Sequence, residues 1–479
     1  MTMDSIHALV PLLCVMAAAI AAMVAEAFRK PGESMPIAPL GLIGLVGAGA
    51  ATFLLWGHNA GSFGVVQADN FALFIVGTLV VVGLLSVAVG STSVARLGLP
   101  VGEYYALLLF SLGGMMLMAM ATDLIVIFLA LEVMSLAIYV LTGIRRDSPV
   151  AIEAAFKYFL LGAFASAFLL YGIAFTYGIA GSTRLDRVAS LFASAATAPE
   201  PLHLAAIGLL LIGFAFKVSA VPFHMWTPDA YEGASPAVTG FMSTGVKAAA
   251  FAAFARVFLT AFEPLHPEWS VVVWGLAAMT MVVATLIGVA QTSVKRMLAY
   301  SSVAHGGYLL VAMVADNGIA KGAILFYLLT YAVTNIGAFG IISLLETSER
   351  PFDQVGDYAG LGSERPFLAF LLTVFLLSLG GFPPFGGFIA KWYIFTGAIA
   401  AGYTWLAIIG VLMSVVSVYF YMRLVVKMYM TPSNGPVAVP VVPVAAGLAL
   451  VASAIAVLYL GVLPTHVLTW AAASVETLF

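Results

Sequence analysis

Long apolar runs recur through the whole chain and limit its fold more than any other feature. A helix that crosses the hydrocarbon core of a bilayer needs roughly 20 mainly apolar residues. Fourteen such runs are centred near residues 17, 47, 80, 112, 132, 168, 212, 248, 280, 307, 332, 380, 414 and 449. The pattern predicts an all-α polytopic membrane protein with about 14 transmembrane helices, the fourth and fifth joined by a tight turn around Thr122 and Asp123.

The composition excludes several classes of protein. Of the 479 residues, 63% are hydrophobic and only 9% are charged, whereas a soluble domain carries about 25% charged residues. A soluble enzyme and a disordered protein are therefore excluded, and a net charge of −3 offers no basic surface for nucleic acid. The single cysteine, Cys14, excludes disulfides and iron–sulfur clusters, and the chain has no glycine-rich nucleotide loop.

Basic residues in the short connections predict the orientation of the chain, because they stay on the cytoplasmic side. With the N-terminus outside, one set of connections carries Arg29, Lys30, Arg96, Arg145, Arg146, Lys295, Arg296, Arg350, Arg365, Arg423 and Lys427. The other set carries chiefly Arg184 and Arg187. Both termini are therefore expected on the periplasmic, or equivalent outer, side.

Two of the apolar segments, the seventh and the twelfth, are interrupted. Pro222 follows the run that contains Lys217, and the twelfth segment contains Gly380, Gly381, Pro383, Pro384, Gly386 and Gly387. Proline removes a helical donor, and freed backbone groups in a membrane are tolerated only against protein or a water-filled cavity. Each break lies near an intramembrane lysine, which favours a functional role, although a kink that merely shapes packing is the alternative.

Interrupted segments five spans apart predict two repeats of opposite topology, a pattern typical of transporter ion sites. The predicted divisions are a three-helix segment at residues 1–100, a first five-helix repeat at 101–262, a second, inverted repeat at 263–430 and a C-terminal helix at 431–479.

Ionisable residues lie deep within several of these segments, where a charge costs at least about 2.5–3.5 kcal/mol. They are Glu132, Lys217, Lys247, His305 and Lys391. Structural alternatives stay open: a buried ion pair for Glu132 and Lys217, a packing contact for Lys247, and a hydrogen bond between helices for His305.

Other charged residues lie closer to the ends of the segments. Lys157 follows Glu153 by four residues, so it is either functional or part of an ordinary surface pair. Arg256 is interpreted as a snorkelling side chain and Asp69 as an interface residue.

Together the deep residues form a row of protonatable groups. Lysine has a reference pKa of about 10.4; burial lowers the pKa of a lysine by up to about 3–5 units, and a nearby carboxylate raises it again. A change in the distance between Glu132 and Lys217 is therefore expected to switch the lysine between holding and donating a proton. This row of protonatable groups predicts that the protein translocates protons.

Two motifs resemble a known family. The stretch from Phe216 to Gly233, F-K-V-S-A-V-P-F-H-M-W-T-P-D-A-Y-E-G, resembles the signature of antiporter-like membrane subunits of respiratory complex I, which are similar to subunits of multisubunit cation/proton antiporters. The stretch from Lys295 to Tyr308, K-R-M-L-A-Y-S-S-V-A-H-G-G-Y, resembles the same family, and the resemblance extends from about Glu103 to Lys427.

Within that family, three features are most similar to subunit N of bacterial NADH–quinone oxidoreductase: the stretch that begins at Lys157, Lys247 in the eighth helix and Lys391 in the twelfth. The resemblance implies that Glu132 tunes Lys217, that Lys217 and Lys247 form the inner half-channel and central relay, and that Lys391 releases protons outward. Secondary connectors would be Lys157, Tyr300 and His305.

The resemblance also implies a setting for the chain. It would lie in the bacterial inner membrane beside antiporter-like and small membrane subunits, in contact with the lipid bilayer and without nucleic acid. This chain would hold no cofactor and no metal, because flavin, iron–sulfur clusters, NADH and quinone belong to partner subunits. Two alternatives stay open: a subunit of a multisubunit Na⁺(K⁺)/H⁺ antiporter, and a structural spacer that conducts nothing.

Overall fold

The fold is almost entirely helical. The computed structural model describes residues 6–30, 37–195, 199–346, 352–433 and 442–478. The first part of the chain contains α1 (Val10–Ala27), α2 (Ile37–Leu55), a hairpin of β1 (Ala60–Ser62) and β2 (Val66–Ala68), α3 (Asn70–Arg96), α4 (Val101–Met120), α5 (Leu124–Thr142), α6 (Pro149–Ala180), α7 (Leu185–Ala195), α8 (Pro201–Lys217), α9 (Trp226–Gly233) and α10 (Pro236–Arg256).

The second part of the chain is also helical. A π-helical turn (Val257–Ala261) and a 3-10 turn (Glu263–Leu265) precede α11 (His266–Ala290), α12 (Val294–Ala315) and α13 (Gly318–Leu345). A second 3-10 turn (Val355–Tyr358) precedes α14 (Leu361–Glu364), α15 (Pro366–Gly380), α16 (Gly386–Ala400), α17 (Thr404–Met430), α18 (Val444–Val462) and α19 (Thr465–Val475).

The apolar runs of the sequence become helices at the expected places. Every predicted centre lies within an apolar helix, and twelve of these helices are long and apolar enough to cross a membrane. The other two, α8 and α15, are shorter, and they are the first halves of the two segments predicted to be interrupted. The chain is therefore an all-helical polytopic membrane protein, as the sequence predicted.

Local capping explains where several of these helices begin. The Asp123 carboxylate accepts hydrogen bonds from the backbone N–H groups of Ile125 and Val126 at 2.9 and 3.4 Å, which starts α5 directly after the tight turn that follows α4. Ser148 and Asn317 accept in the same way at the starts of α6 and α13. Such caps satisfy donors that a helix leaves unpaired in its first turn.

Both interrupted segments contain a real gap in the helix. The first break covers residues 218–225, between α8 and α9, and the second covers residues 381–385, between α15 and α16. In the first break, Ser219 adopts a left-handed backbone conformation at φ 62°, which is uncommon for a residue with a side chain. In the second, Gly381 adopts such a conformation at φ 85°.

Three helices form the centre of the molecule. Every residue of α10 is buried, and so are nearly all residues of α12 and α13. Helices at the periphery, such as α2 and α17, expose large apolar side chains, as expected for surfaces that meet lipid. Residues on α10 and α12 are therefore shielded from the bilayer by a surrounding layer of helices.

Ionic contacts define two opposite ends of the molecule. At one end, the Glu346 face, the Glu346 carboxylate lies 3.4 Å from Arg145 and 3.9 Å from Lys295, which joins the ends of α5, α12 and α13. Burial raises the pKa of the Glu346 carboxyl, and Lys295 and Arg145 partly offset that rise. At the other end, the Asp69 face, Asp69 binds Arg256, which joins the start of α3 to the end of α10.

Three smaller elements cover the Asp69 face, and none was predicted from the apolar runs. The β1–β2 hairpin is bound to the turn after α4, where Thr122 N donates to Val65 O at 2.9 Å. Amphipathic α7 buries Val188 and Phe192 against the π-helical turn. The residues after α19 also pack here, since Thr477 Oγ1 accepts from Phe71 N at 3.1 Å.

Candidate functional site

The three lysines predicted to form the main proton relay lie in the interior of the protein. Lys217, Lys247 and Lys391 are exposed by 2%, 3% and 5%. These side chains and His305 are distributed over α8, α10, α12 and α16, from the first break to the second. The site is therefore a line of buried polar groups that passes through the central helices.

The first group surrounds Lys217, the last residue of α8. Its Nζ donates to Ser135 Oγ at 2.7 Å and to the Tyr139 hydroxyl at 3.4 Å. Glu132 lies one turn before Ser135 on α5 and accepts from Ser166 Oγ of α6 at 2.5 Å. Across the described ranges no ion pair joins Glu132 to Lys217, so the structural alternative of a direct pair between them is wrong.

Polar groups in and beside the first break form hydrogen bonds with other parts of the protein. Val221 N donates to Thr280 Oγ1 of α11 at 2.9 Å, and Trp226 Nε1 donates to Phe216 O at 3.0 Å. Thr227 Oγ1 donates to Ser219 Oγ at 3.0 Å. These bonds hold the unwound segment against protein, as a non-helical backbone at membrane depth requires.

The second group surrounds Lys247 at the middle of α10. Its Nζ donates to Ser302 O and, at 2.8 Å, to Ser302 Oγ, and it lies 5.2 Å from the centre of the Tyr331 ring. Ser302 Oγ is also 3.2 Å from the Tyr231 hydroxyl.

Gly306, one turn further along α12, connects this group to the first break. A Cβ atom placed there would lie 2.8 Å from Val218 O and 3.8 Å from Lys247 Nζ. The missing side chain therefore lets α12 pack directly against both the unwound backbone and the lysine.

The third group is centred on His305, for which a hydrogen bond between helices was the structural alternative. Its Nδ1 lies 2.5 Å from the Tyr327 hydroxyl, and its Nε2 lies 3.4 Å from the Tyr421 hydroxyl. The Tyr421 hydroxyl is in turn 2.5 Å from Ser301 Oγ, which is adjacent in sequence to Ser302. His305 and the Lys247 group therefore share the same stretch of α12.

The fourth group surrounds Lys391 on α16. Its Nζ donates to Leu379 O at 2.9 Å, to Gly380 O at 3.1 Å and to Ser414 Oγ at 2.8 Å. Leu379 and Gly380 end α15, so the ammonium group binds carbonyls that the second break leaves free. A cation at a helix C-terminus is also favoured by the helix dipole.

Lys391 also borders a cavity of about 300 Å³ between α16 and α17. The cavity is lined by the second break and by Phe388, Trp392 and Ser414. Apart from Lys391 and Ser414, the lining of this cavity is mostly apolar.

Two of the predicted secondary residues lie outside this line. Lys157 is exposed by 46% on α6 and binds Glu153 at 2.7 Å and Asp229 at 3.1 Å. Tyr300 is partly buried, with its ring centre 6.3 Å from that of His224 in the first break. The structure therefore brings His305 into the line and leaves Lys157 in an ionic cluster on the Glu346 face.

The interpretation of Arg256 as a snorkelling side chain is wrong. Arg256 is exposed by 3% and donates bidentate hydrogen bonds to the Asp69 carboxylate at 2.8 and 2.9 Å. Asp69, exposed by 1%, is a fully buried ion-pair partner and not an interface residue. The two residues are 187 positions apart in the chain, so no local pattern could have paired them.

Sequence reasoning also missed the hydroxyl partners of the lysines, chiefly Ser135, Ser302 and Ser414. Serines are scattered through the apolar helices, and the only signal that could have selected these three is their helical spacing from other polar residues. Within the ranges that the structure describes, no group of three or more His, Cys, Asp or Glu side chains is arranged to hold a metal ion.

Comparison with known proteins identifies the family. The sequence model of the family described as "NADH:quinone oxidoreductase/Mrp antiporter, TM" matches residues 121–417. NADH-quinone oxidoreductase subunit N of Trichlorobacter lovleyi is 48% identical over 92% of this chain and 91% of the relative. The chain belongs to the subunit N family of NADH-quinone oxidoreductase. Subunit N 1 of Solibacter usitatus is 43% identical over 92% of this chain and 90% of its own length.

Solved structures share the fold of this subunit N family member. A chain of respiratory complex I from Thermus thermophilus with bound aureothin is 35% identical, with a TM-score of 0.82 over 96% of this chain and 99% of that chain. A chain of the Mrp complex from Dietzia has a TM-score of 0.86 over 100% of this chain and 98% of that chain at 23% identity, which is a likeness of fold alone.

Proposed function

We propose that this chain translocates protons as the subunit N of an NADH–quinone oxidoreductase. Partner subunits would oxidise NADH and reduce quinone, and this chain would use the coupled energy to move protons through its buried lysines. The identity of 48% to an NADH-quinone oxidoreductase subunit N supports the setting. The observation that carries the mechanism is the line of polar contacts from Lys217 to Lys391 through α12.

The proposed steps at Lys217 and Lys247 rest on contacts of the described residues, apart from the action of Glu132. Glu132 acts on Lys217 through space, while Ser135 orients the ammonium group by accepting from it at 2.7 Å and donating to Leu131 O at 2.5 Å. Lys247, held by Ser302, is the central relay. Lysine can give up a proton and take it back, which arginine cannot do.

The second half of the line leads from Lys247 to Lys391. Along this path the Tyr421 hydroxyl lies 2.5 Å from Ser301 Oγ and 3.4 Å from His305 Nε2. We assign His305 as a connector between the two lysines and Lys391 as the group that releases protons outward. The cavity beside Lys391 shows that the lysine borders open space on the side of the second break, and the outward path is proposed to begin there.

Lys157 and Tyr300 are proposed as secondary connectors. Lys157 contacts Asp229, which also binds Arg296 at 3.0 Å, so the three form an ionic cluster beside the first break. Tyr300, on α12 beside His224, lies on the same side of the first break. The two residues would connect the inner surface to Lys217.

We further propose fourteen membrane spans, in which α8 with α9 and α15 with α16 each form one interrupted span. The Glu346 face would be cytoplasmic and the Asp69 face periplasmic, with both termini on the Asp69 face. Support comes from Arg145, Lys295 and Arg296, which all cluster at the Glu346 face, as the positive-inside rule requires.

The two interrupted spans would lie in inverted repeats at residues 101–262 and 263–430, preceded by residues 1–100 and followed by 431–479. In the described ranges these divisions fall between helices: α4 begins at Val101, the π-helical turn after α10 ends at Ala261, and α17 ends at Met430. The two breaks are not equivalent in detail, since Lys217 precedes the first and Lys391 follows the second.

The chain would act in the bacterial inner membrane beside other antiporter-like and small membrane subunits. Flavin, iron–sulfur clusters, NADH and quinone would be bound by partner subunits and not by this chain.

Purification of this chain from native membranes with an affinity tag tests the proposed function. We expect flavin-containing subunits to co-purify and the preparation to reduce a quinone analogue with NADH and acidify vesicles. If the tagged chain is recovered with membrane subunits alone, and the preparation exchanges cations for protons without NADH, the antiporter alternative replaces the proposal. Normal acidification by an assembly whose Lys217, Lys247 and Lys391 are all replaced by methionine would favour the spacer alternative.

A further inference from the structure

A deep groove on the outside of the molecule lies apart from the line of lysines. It has a volume of about 730 Å³ and runs between α8 and α11. Its walls are apolar, and its inner end is formed by two residues of the first break, Pro222 and Phe223. Ligand pockets of roughly 300–1,000 Å³ typically bury most of a small ligand.

The groove is open because a side chain is missing from one wall. Gly208 of α8 lines it, and a Cβ atom placed there would meet no atom within 4 Å. On the opposite wall, Val271 and Val272 of α11 are exposed by 70% and 52%. The groove therefore faces the surroundings of the helix bundle, which for a membrane protein is lipid.

The length of the groove fits half of a bilayer. Along α11 it extends from Glu268, in the first turn at the Asp69 face, to Leu276. At 1.5 Å per residue this is about 12 Å, close to half of the roughly 30 Å hydrocarbon core. An acyl chain that starts at the membrane surface would end beside the first break.

The outer end of the groove carries an acidic group. Glu268 lines it, and its Oε2 atom is buried without a hydrogen-bond partner among the residues that the structure describes. The basic side chains that could otherwise pair with Glu268 contact another carboxylate. His266 lies 3.9 Å from Asp316, and Lys321 binds Asp316 at 2.7 Å. The other neighbouring acid, Glu263, is exposed and does not line the groove.

We propose that this groove binds one phospholipid whose headgroup carries a primary ammonium, such as phosphatidylethanolamine. One acyl chain fills the apolar groove as far as Pro222 and Phe223, and the ammonium donates to Glu268 at the Asp69 face. The apolar wall selects a hydrocarbon chain, and the carboxylate selects a headgroup that carries an ammonium over an anionic headgroup that has none. The lipid supports the first break from the side opposite Lys217.

Photo-crosslinking in the assembled complex tests this site. The complex is reconstituted in nanodiscs that contain phosphatidylethanolamine and phosphatidylglycerol in equal amounts, with a photoactivatable acyl chain on one lipid at a time. Adducts are quantified on the peptides that contain Leu211 and Val272. We expect about tenfold more labelling from phosphatidylethanolamine than from phosphatidylglycerol, since one charge-assisted hydrogen bond suffices for that ratio.

Two variants distinguish binding of the lipid's acyl chain from binding of its headgroup. Gly208→Leu should block the groove and abolish labelling by both lipids, whereas Glu268→Gln should keep labelling but make the two lipids equal. The matched controls are Gly178→Leu, at another glycine that faces open space on α6, and Glu263→Gln; both should label as the unmodified protein does.

Equal labelling by the two lipids in the unmodified complex would overturn the proposal. The proposal would also be overturned if Gly208→Leu left labelling unchanged, or if a quinone analogue or a partner subunit's helix were crosslinked there instead. Should Gly208→Leu fail to assemble, the Glu268→Gln comparison decides by itself. None of these outcomes depends on whether the chain translocates protons.

Discussion

At the scale of single residues, the three buried lysines share one kind of environment. In the described ranges, their Nζ atoms donate to serine or tyrosine hydroxyls and to backbone carbonyls, and no carboxylate lies within 4 Å of them. Neutral partners satisfy an ammonium group without fixing its charge as a salt bridge does. That environment suits side chains that pass a proton along, and it contrasts with that of Arg256, which forms a buried ion pair with Asp69.

Glu132 is expected to set the proton affinity of Lys217. Glu132→Ala should leave the complex assembled but reduce NADH-driven proton pumping and quinone reduction together by at least about tenfold, or about 1.4 kcal/mol in the activation barrier. Glu132→Asp should keep part of the activity. The measurements are quinone reductase rate and acidification of inverted vesicles, with exposed Glu103→Ala on α4 as the control. Equal pumping by Glu132→Ala and the unmodified complex would remove Glu132 from the mechanism.

The buried pair of Asp69 and Arg256 should matter for stability and not for turnover. Asp69→Asn leaves a buried guanidinium without its counter-charge, which costs about 3–5 kcal/mol. We expect a lower thermal unfolding temperature of the solubilised complex and less of this chain in the membrane. The control is Asp186→Asn, since Asp186 is exposed by 59% and solvent screens its pair with Arg184, which therefore contributes little to stability. Similar unfolding temperatures for the two variants would show that the buried pair contributes little.

At the scale of elements, α12 connects the two halves of the line, and Gly306 sets how closely it packs. Gly306→Ala would place a methyl group 2.8 Å from Val218 O, so α12 or the first break must move. We expect assembly with turnover slowed about tenfold, or about 1.4 kcal/mol. Gly275→Ala on α11 meets open space and should be neutral or slightly stabilising, because alanine favours a helix by about 1 kcal/mol over glycine. Equal turnover in the two variants would contradict this role of α12.

The glycines of the second break do more than interrupt a helix. From sequence, Gly386 and Gly387 only interrupt the twelfth segment. In the structure, a Cβ atom at Gly387 would lie 1.9 Å from Ser378 O, so alanine there cannot restore a regular helix without separating α16 from α15. The close approach, and not only backbone freedom, requires glycine at this position.

Much of the fold could be predicted because its signals are local. Apolar runs located the helices, and Pro222 and the glycines near Gly380 located both breaks. The partners of the lysines could not be predicted, since Ser135, Ser302 and Ser414 look like any serine in an apolar helix and meet the lysines only after distant segments pack. The Asp69–Arg256 pair and the β1–β2 hairpin depend likewise on tertiary contacts.

At the scale of the whole molecule, the two faces should be accessible from opposite sides of the membrane. In a Cys14→Ser background, Ser190→Cys lies exposed at the Asp69 face and Asp147→Cys lies exposed at the Glu346 face. A membrane-impermeant thiol reagent added to intact cells, after permeabilisation of the outer membrane, should label Ser190→Cys and not Asp147→Cys. Inverted vesicles should give the opposite result. The same labelling of both residues in intact cells would contradict the orientation.

Proton translocation by variants of Lys247, which lies on α10 at the centre of the molecule, tests most directly whether the buried lysines carry protons. Vesicles with the assembled complex are energised with NADH, and the rates of acidification and quinone reduction are measured for Lys247→Met, Lys247→Arg and the control Lys321→Arg, whose lysine pairs with Asp316 at the Asp69 face. Arginine keeps the charge but cannot release its proton. We expect Lys247→Met and Lys247→Arg each to lose at least about nine-tenths of the acidification rate and of the quinone reduction rate, a tenfold loss. Lys321→Arg should keep both rates. Full activity of Lys247→Arg would contradict proton transfer by this lysine, because Lys247 would then be a fixed charge.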